Sequence, residues 1–226
     1  MKTCGIIGGM SWESSAEYYK IINEEINSKL GSLHSGKIIL YSVDFEEIAR
    51  QQKEGNWHGS AKILSSAALS LQKAGADFVL IATNTMHKVA DDVKKAINIP
   101  LLDIRDATAQ AVKKAAVENV LLLGTKFTME DSFYIKRLES NGLNVVVPDE
   151  PERNTVHQVI FDELCLGITK EDSKKEFLKI ISSYEVQGVI LGCTEIGLLI
   201  SQNDLNIKVF DTTLIHAKKA VEFMLS

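Results

Sequence analysis

Cysteine, proline and long apolar runs are all scarce in this chain, and each scarcity removes a class of explanation. Its three cysteines, Cys4, Cys165 and Cys193, stand far apart in 226 residues. They are too few for a disulfide framework and show no C-x-x-C spacing for a metal site, so each is weighed as a lone thiol. No apolar stretch approaches the about 18 residues that a bilayer-spanning helix requires. The opening Met1-Lys2-Thr3-Cys4-Gly5-Ile6-Ile7-Gly8 has too short an apolar run for a secretory signal, and the expected location is the cytosol. Positive charge is not in excess: 25 Lys and Arg face 30 Asp and Glu, for a net charge of −5 and a pI near 5.6. Nucleic-acid phosphates call for clustered Lys and Arg. The expected partner is therefore a small molecule or another protein, with no nucleic acid and no membrane. Pro148 and Pro151 mark the one clear irregular break.

What is present is apolar sequence in short runs. At 45% hydrophobic, the chain can bury a sizeable core as one large or two small domains. Apolar runs at 4–9, 37–43, 77–82 and 100–103 read as strands, with helical patterns from about Ser14 and over 44–57, 60–74 and 85–97. The alternation then restarts, with strands at 119–124, 143–147, 187–191 and 207–211 and helices at 106–117, 127–140, 153–166, 170–184 and from 211 onward. Strands and helices that alternate in this way imply parallel, doubly wound sheets. Gly5-Ile6-Ile7-Gly8 echoes Leu121-Leu122-Leu123-Gly124, Val79-Leu80-Ile81 echoes Val189-Ile190-Leu191, and Leu101-Leu102-Asp103 echoes Val209-Phe210-Asp211, each about 110 residues apart. This predicts two similar α/β halves, 1–104 and 105–210, with the helix 211–226 returning to the first. A pseudo-twofold arrangement would put the active site in a cleft where the carboxyl ends of both sheets meet.

Two strand ends carry the chemistry. Gly188-Val189-Ile190-Leu191-Gly192 delivers Cys193-Thr194-Glu195, and Phe78-Val79-Leu80-Ile81-Ala82 delivers Thr83-Asn84-Thr85-Met86-His87. A helix beginning after Cys193 would favour its thiolate through backbone N–H groups and the dipole. The first strand ends in Gly8-Gly9-Met10-Ser11 without G-x-G-x-x-G spacing, which disfavours a dinucleotide. The expectation here is that the N–H groups of Gly8 and Gly9 approach an anion such as a carboxylate. Two groups on opposite faces suit racemisation, in which one removes the α-proton and the other returns a proton to the far face.

Gly8-Gly9-Met10, Asn84-Thr85-Met86-His87 and Gly192-Cys193-Thr194-Glu195, in this order and spacing, resemble the cofactor-independent aspartate/glutamate racemase family across essentially the whole chain. Gly8 to Ser14 and Ser42-Val43-Asp44-Phe45 place the resemblance nearest the broad-specificity amino-acid racemases. It implies a two-base enzyme without pyridoxal phosphate or other cofactor, with no metal, usually a homodimer, acting on a small amino acid. Cys193 matches the family's second cysteine. Thr83 stands where the first is found, and a threonine hydroxyl is no resting base near neutral pH. Thr83 relays a proton through water or His87, or the enzyme works efficiently in one direction, or it is impaired. Met10, Ser11, Asn84, Thr85 and Thr194 fall where the substrate is held, the last three with helix capping as the alternative. Glu195 orients Cys193, holds the substrate ammonium, or simply favours a helix start. Cys4 and Cys165 read as structural, and Asp103 and Asp211 as helix caps. The family's basic grip on an acidic side chain has no clear counterpart, with Arg50 or Lys170 as substitutes, so strict aspartate selectivity is not expected. The alternatives are a hydantoin racemase or arylmalonate decarboxylase, for which one cysteine suffices, and a catalytically silent small-carboxylate-binding protein.

Overall fold

A computed structural model describes residues 1–226. The chain forms two compact units, Met1–Ile104 together with His216–Ser226, and Arg105–Ile215. None of its helices is long and apolar enough to cross a membrane.

The first unit contains β1 (Cys4–Gly8), α1 (Trp12–Leu30), β2 (Ile38–Ser42), α2 (Phe45–Lys53), α3 (Trp57–Lys73), β3 (Phe78–Ile81), α4 (Ala90–Ala96) and β4 (Leu101–Leu102). Its parallel sheet runs in the order β2-β1-β3-β4. Side chains alternate across a strand, and a parallel sheet is covered on both faces, so its central strands are apolar throughout. Ile7, Val79 and Ile81 pack with Ile48, Leu64 and Leu71 on one face. Cys4, Ile6, Phe78 and Leu80 pack on the other, with Tyr18, Ile22 and Ile26 of α1 and Ala217, Ala220, Val221 and Met224 from the chain's last helix. Each fully buried Ile or Leu contributes about 1.5–3 kcal/mol.

The second unit repeats the plan. After α5 (Ile104–Lys114), which begins at the last residue of the first unit, come β5 (Asn119–Gly124), α6 (Lys126–Glu130), α7 (Ser132–Glu139), β6 (Asn144–Val146), α8 (Glu150–Asp162), α9 (Glu171–Ser182), β7 (Gly188–Gly192), β8 (Lys208–Asp211) and α10 (Thr212–Leu225). The parallel order β6-β5-β7-β8 matches the first sheet strand for strand. Leu121, Leu123, Val189 and Leu191 pack with Val156, Ile160, Phe177 and Ile180. The chain's return to the first unit falls inside α10, at His216.

Three expected helices differ. The 127–140 segment is two helices, because Asp131 adopts extended backbone between them. Residues 85–97 begin as a 3₁₀ helix, Thr85–Val89, before α4, a common way to enter an α-helix. No α-helix follows Cys193: a 3₁₀ helix of three residues, Ile196–Leu198, is all that forms there. Gly197 gives little helical support and lies against the Asp211 carboxylate. Ile196, Leu199 and Ile200 are pulled into the apolar cluster, and Ser201 and Asp204 cap a new 3₁₀ turn.

Candidate active site

In the first unit, Ala82 N–H donates to Ile7 O at 2.9 Å, extending the β1–β3 ladder to the strand ends. Thr83, 9% exposed, follows immediately, with Asn84 and Thr85 buried behind it. Beside them β1 runs out through Gly9, whose φ of 91° suits glycine. A side chain there would meet the backbone nitrogen of Val43 at 2.6 Å. The Gly9 N–H expected to approach an anion donates instead to Ser15 Oγ, at 2.7 Å. Ser11 caps α1, its hydroxyl accepting from Ser14 N–H at 3.2 Å. Met10 is buried in the apolar cluster with Ile7 and Met86. Ser14 Oγ donates to Ala82 O at 3.2 Å, so the first turn of α1 abuts the approach to Thr83.

His87 is anchored by the backbone on both sides. Its Nδ1 lies 2.8 Å from Thr83 O and its Nε2 accepts from Ile104 N–H at 3.2 Å. A carbonyl needs a donor and an amide needs an acceptor, so these partners set the neutral Nδ1–H tautomer. The ring thereby holds the carbonyl of Thr83, and the geometry gives a proton relay through it no support. Asp103 Oδ1 is 3.8 Å from Nε2, while its Oδ2 receives Lys94 Nζ at 3.1 Å. Edge-on to His87 lies buried His216, which sequence reasoning passed over. Tyr18 Oη donates to His216 Nδ1 at 2.8 Å, and Nε2–H donates to Leu102 O at 3.0 Å. Burial, with His87 alongside, lowers its pKa to about 3. The pairing joins residues 198 positions apart, and no local pattern announces it.

In the second unit β7 ends at Gly192, where an added Cβ would meet Leu123 O at 2.8 Å. Cys193 is 8% exposed. Its Sγ–H donates to Glu195 Oε2 at 2.9 Å, and Thr194 Oγ1–H donates to the same oxygen at 2.7 Å. Burial pushes the thiol pKa well above its ordinary value, and the negative charge of Glu195 adds to the shift. This overturns the expected thiolate. The helix N-terminus that would have stabilised it is absent, and the neighbour is a carboxylate. Cys193 therefore rests as a protonated thiol with its proton directed at a base.

Two threonines escaped the sequence reading. Thr125 and Thr128, both buried, stand where β5 ends, and β5 pairs with β7 through Gly124 and Gly192. Their hydroxyls are 3.2 Å apart, and Thr125 caps α6 by accepting from Thr128 N–H. The signal was available: the repeat aligns Gly124 with Gly8, so Thr125 is the counterpart of Gly9. Asp211 Oδ1 accepts from Thr213 and Leu214 N–H at 2.8 and 3.1 Å, as an α10 cap should. Cys4 is sealed in the core, its thiol pushed up to about 12 by burial. Cys165 packs against the same apolar cluster as Cys193. No group of three or more His, Cys, Asp or Glu side chains is disposed to hold a metal ion.

Comparison with known proteins gives the family context. The family described as Asp/Glu/Hydantoin racemase matches residues 7–220. The broad specificity amino-acid racemase RacX of Bacillus subtilis is 24% identical, with 98% of each chain covered. Among solved structures, a Yersinia pestis protein assigned to the Asp/Glu racemases is 50% identical, with a TM-score of 0.92 over all of both chains. PH1733 of Pyrococcus horikoshii, described as an aspartate racemase homologue, is 42% identical, with a TM-score of 0.88 over all of both chains.

Proposed function

The chain belongs to the Asp/Glu/hydantoin racemase family, and from that premise we propose that it interconverts the enantiomers of an amino acid with Cys193 as the thiol acid/base and Thr83 in the place of the second cysteine. The observation that carries the reading is the 2.9 Å hydrogen bond from the Cys193 thiol to Glu195.

In the direction in which Cys193 abstracts, the Sγ–H proton passes to Glu195 Oε2. The thiolate so formed takes the α-proton and becomes a thiol again, leaving a carbanion. The carbanion is then protonated on its opposite face by Thr83, directly or through water; Thr83 regains a proton from solvent and Glu195 Oε2 releases to solvent the one it took, which closes the cycle. A neutral hydroxyl can give a proton to so strong a base as a carbanion, yet it is a poor base for removing an α-proton at neutral pH. In the reverse direction the resting Cys193 thiol is already the required acid, while the Thr83 face is the weak base. Abstraction from one enantiomer is therefore the easier half of the cycle. Enantiomers have equal free energy, so kcat/KM is the same in both directions. The asymmetry appears as α-proton exchange that outruns inversion for one enantiomer only. Asn84 and Thr85 supply hydroxyl, amide and backbone donors and Thr194 its backbone N–H for the α-carboxylate, and His87 positions Thr83. The chemistry is carried by side chains.

The test is α-proton exchange in D₂O, followed by NMR over L- and D-amino acids that include aspartate and glutamate. Exchange and inversion in the wild type that are both lost in Cys193→Ser support the reading. Exchange that survives Cys193→Ser overturns the thiol's role, and the absence of exchange throughout overturns the racemase reading for those amino acids.

A further inference from the structure

An amino acid brings an ammonium group into its site, and a buried cation needs an acceptor, preferably an anionic one. Most of the carboxylates near the strand ends are already taken by the chain's own donors. Glu195 Oε2 receives the Cys193 thiol and the Thr194 hydroxyl. Asp103 Oδ2 receives Lys94. Asp211 Oδ1 receives two N–H groups of α10, and Asp44 Oδ1 receives Glu46 N–H at 3.2 Å.

Glu13 differs. Its Oε2 is buried, and no donor reaches it. The residue lies in the first turn of α1, between Ser11, which caps the helix, and Ser14, whose hydroxyl binds the carbonyl of Ala82 next to Thr83. A buried carboxylate oxygen without a donor is costly and asks for an explanation, of which a ligand's N–H group is one. The helix start moderates the cost of holding the negative charge there.

We propose that Glu13 Oε2 receives the α-ammonium group of the substrate. The inference rests on the racemase reading and deepens it. It moves ammonium recognition from Glu195, which is committed to the thiol, to a carboxylate on the first unit. The site would then select zwitterions: hydroxyl and amide donors for the carboxylate, and one anionic acceptor for the ammonium. A 2-hydroxy acid of the same shape would meet the same carboxylate donors but offer Glu13 a neutral hydroxyl, a weaker partner than a cation.

Isothermal titration calorimetry tests this with three matched pairs: L-aspartate and L-malate, L-glutamate and L-2-hydroxyglutarate, and L-alanine and L-lactate. The wild type is expected to bind the amino acid of at least one pair tenfold or more tighter than its hydroxy counterpart. Glu13→Gln is expected to weaken the amino acid at least tenfold and to leave the hydroxy acid within twofold. Equal weakening of both members, no change in either, or no amine preference in the wild type overturns the proposal. If Glu13→Gln fails to fold, as read by near-ultraviolet circular dichroism, the wild-type preference and the charge-retaining Glu13→Asp decide: a partial preference in the latter supports it and none overturns it. Exchange in D₂O on the same wild-type protein separates the two readings. Exchange without any role of Glu13 overturns this inference alone, whereas a protein that neither exchanges nor binds any of the six overturns both.

Discussion

Acidification should destabilise the first unit through one buried imidazole. His216 is held neutral between Tyr18 Oη and Leu102 O, with its pKa lowered to about 3 from an ordinary 6.5. Between those values the unfolded chain binds a proton at this site and the folded one does not, so stability rises with pH across the window and falls as pH drops through it. The slope is about 1.4 kcal/mol per pH unit for one proton. Between pH 6.5 and 4.5 that amounts to a loss of roughly 2 kcal/mol, because the unfolded imidazole is already half protonated at the upper limit. Carboxylates add their own pH dependence, so the quantity to measure is the difference between wild type and His216→Gln. The glutamine amide can accept from Tyr18 and donate to Leu102 without titrating. Both tryptophans, Trp12 and Trp57, lie in the first unit, so urea unfolding followed by tryptophan fluorescence reports that unit. The wild-type unfolding free energy should fall more steeply than the variant's, by about 1.4 kcal/mol per unit between pH 6 and 4. Parallel slopes would refute the reasoning, since the imidazole would then titrate alike folded and unfolded.

Other outcomes bear on the site. Thr83→Cys should raise, at least tenfold, the α-proton exchange of whichever enantiomer is slow in the wild type, because a thiol yields an adequate base where a hydroxyl does not; an unchanged ratio of the two enantiomers in D₂O would count against Thr83. Glu195→Gln removes both the negative charge that raises the Cys193 pKa and the acceptor of its proton. Iodoacetamide should therefore alkylate Cys193 faster at pH 7, with the modified peptide identified by mass spectrometry, while exchange falls by a factor on the order of 10² to 10⁴. Faster alkylation with full activity would leave Glu195 without a part in proton transfer. Gly192→Ala puts a methyl group 2.8 Å from both Leu123 O and Leu122 Cδ1 and should cost about 1–3 kcal/mol, read from urea unfolding followed by circular dichroism.

The strands were legible because central parallel strands are apolar on both faces and end in glycine or a polar residue, as at Gly188–Gly192 and Phe78–Ile81. The same feature pointed to Cys193 and Thr83, since strand ends are where such folds present side chains. The ionisation of Cys193 was not legible. It depends on which way the Glu195 carboxylate turns and on a helix that fails to propagate, neither of which is a matter of local propensity alone. His87 was seen, but the partners that settle its tautomer, Thr83 O and Ile104 N–H, are backbone atoms brought together by folding. Thr125 and Thr128 were within reach of the repeat, which aligns Gly124 with Gly8, but they belong to none of the three motifs that carry the family resemblance.

The division of the chain also bears on how it is made. The second unit is one continuous stretch, Arg105–Ile215, whereas the first is complete only when His216–Ser226 has joined it. Lys2 N–H bonds to Met224 O at 2.8 Å, and Lys2 Nζ sits 4.5 Å from the centre of the Phe223 ring, so Lys2 waits for partners synthesised after the whole of the second unit. On a ribosome adding about 5–20 residues per second, that wait lasts on the order of ten seconds. Meanwhile the face of Cys4, Ile6, Phe78 and Leu80 lacks the cover of Ala217, Ala220, Val221 and Met224. The half translated second is thus expected to finish folding first, and the nascent first half to be the one that needs shelter from aggregation.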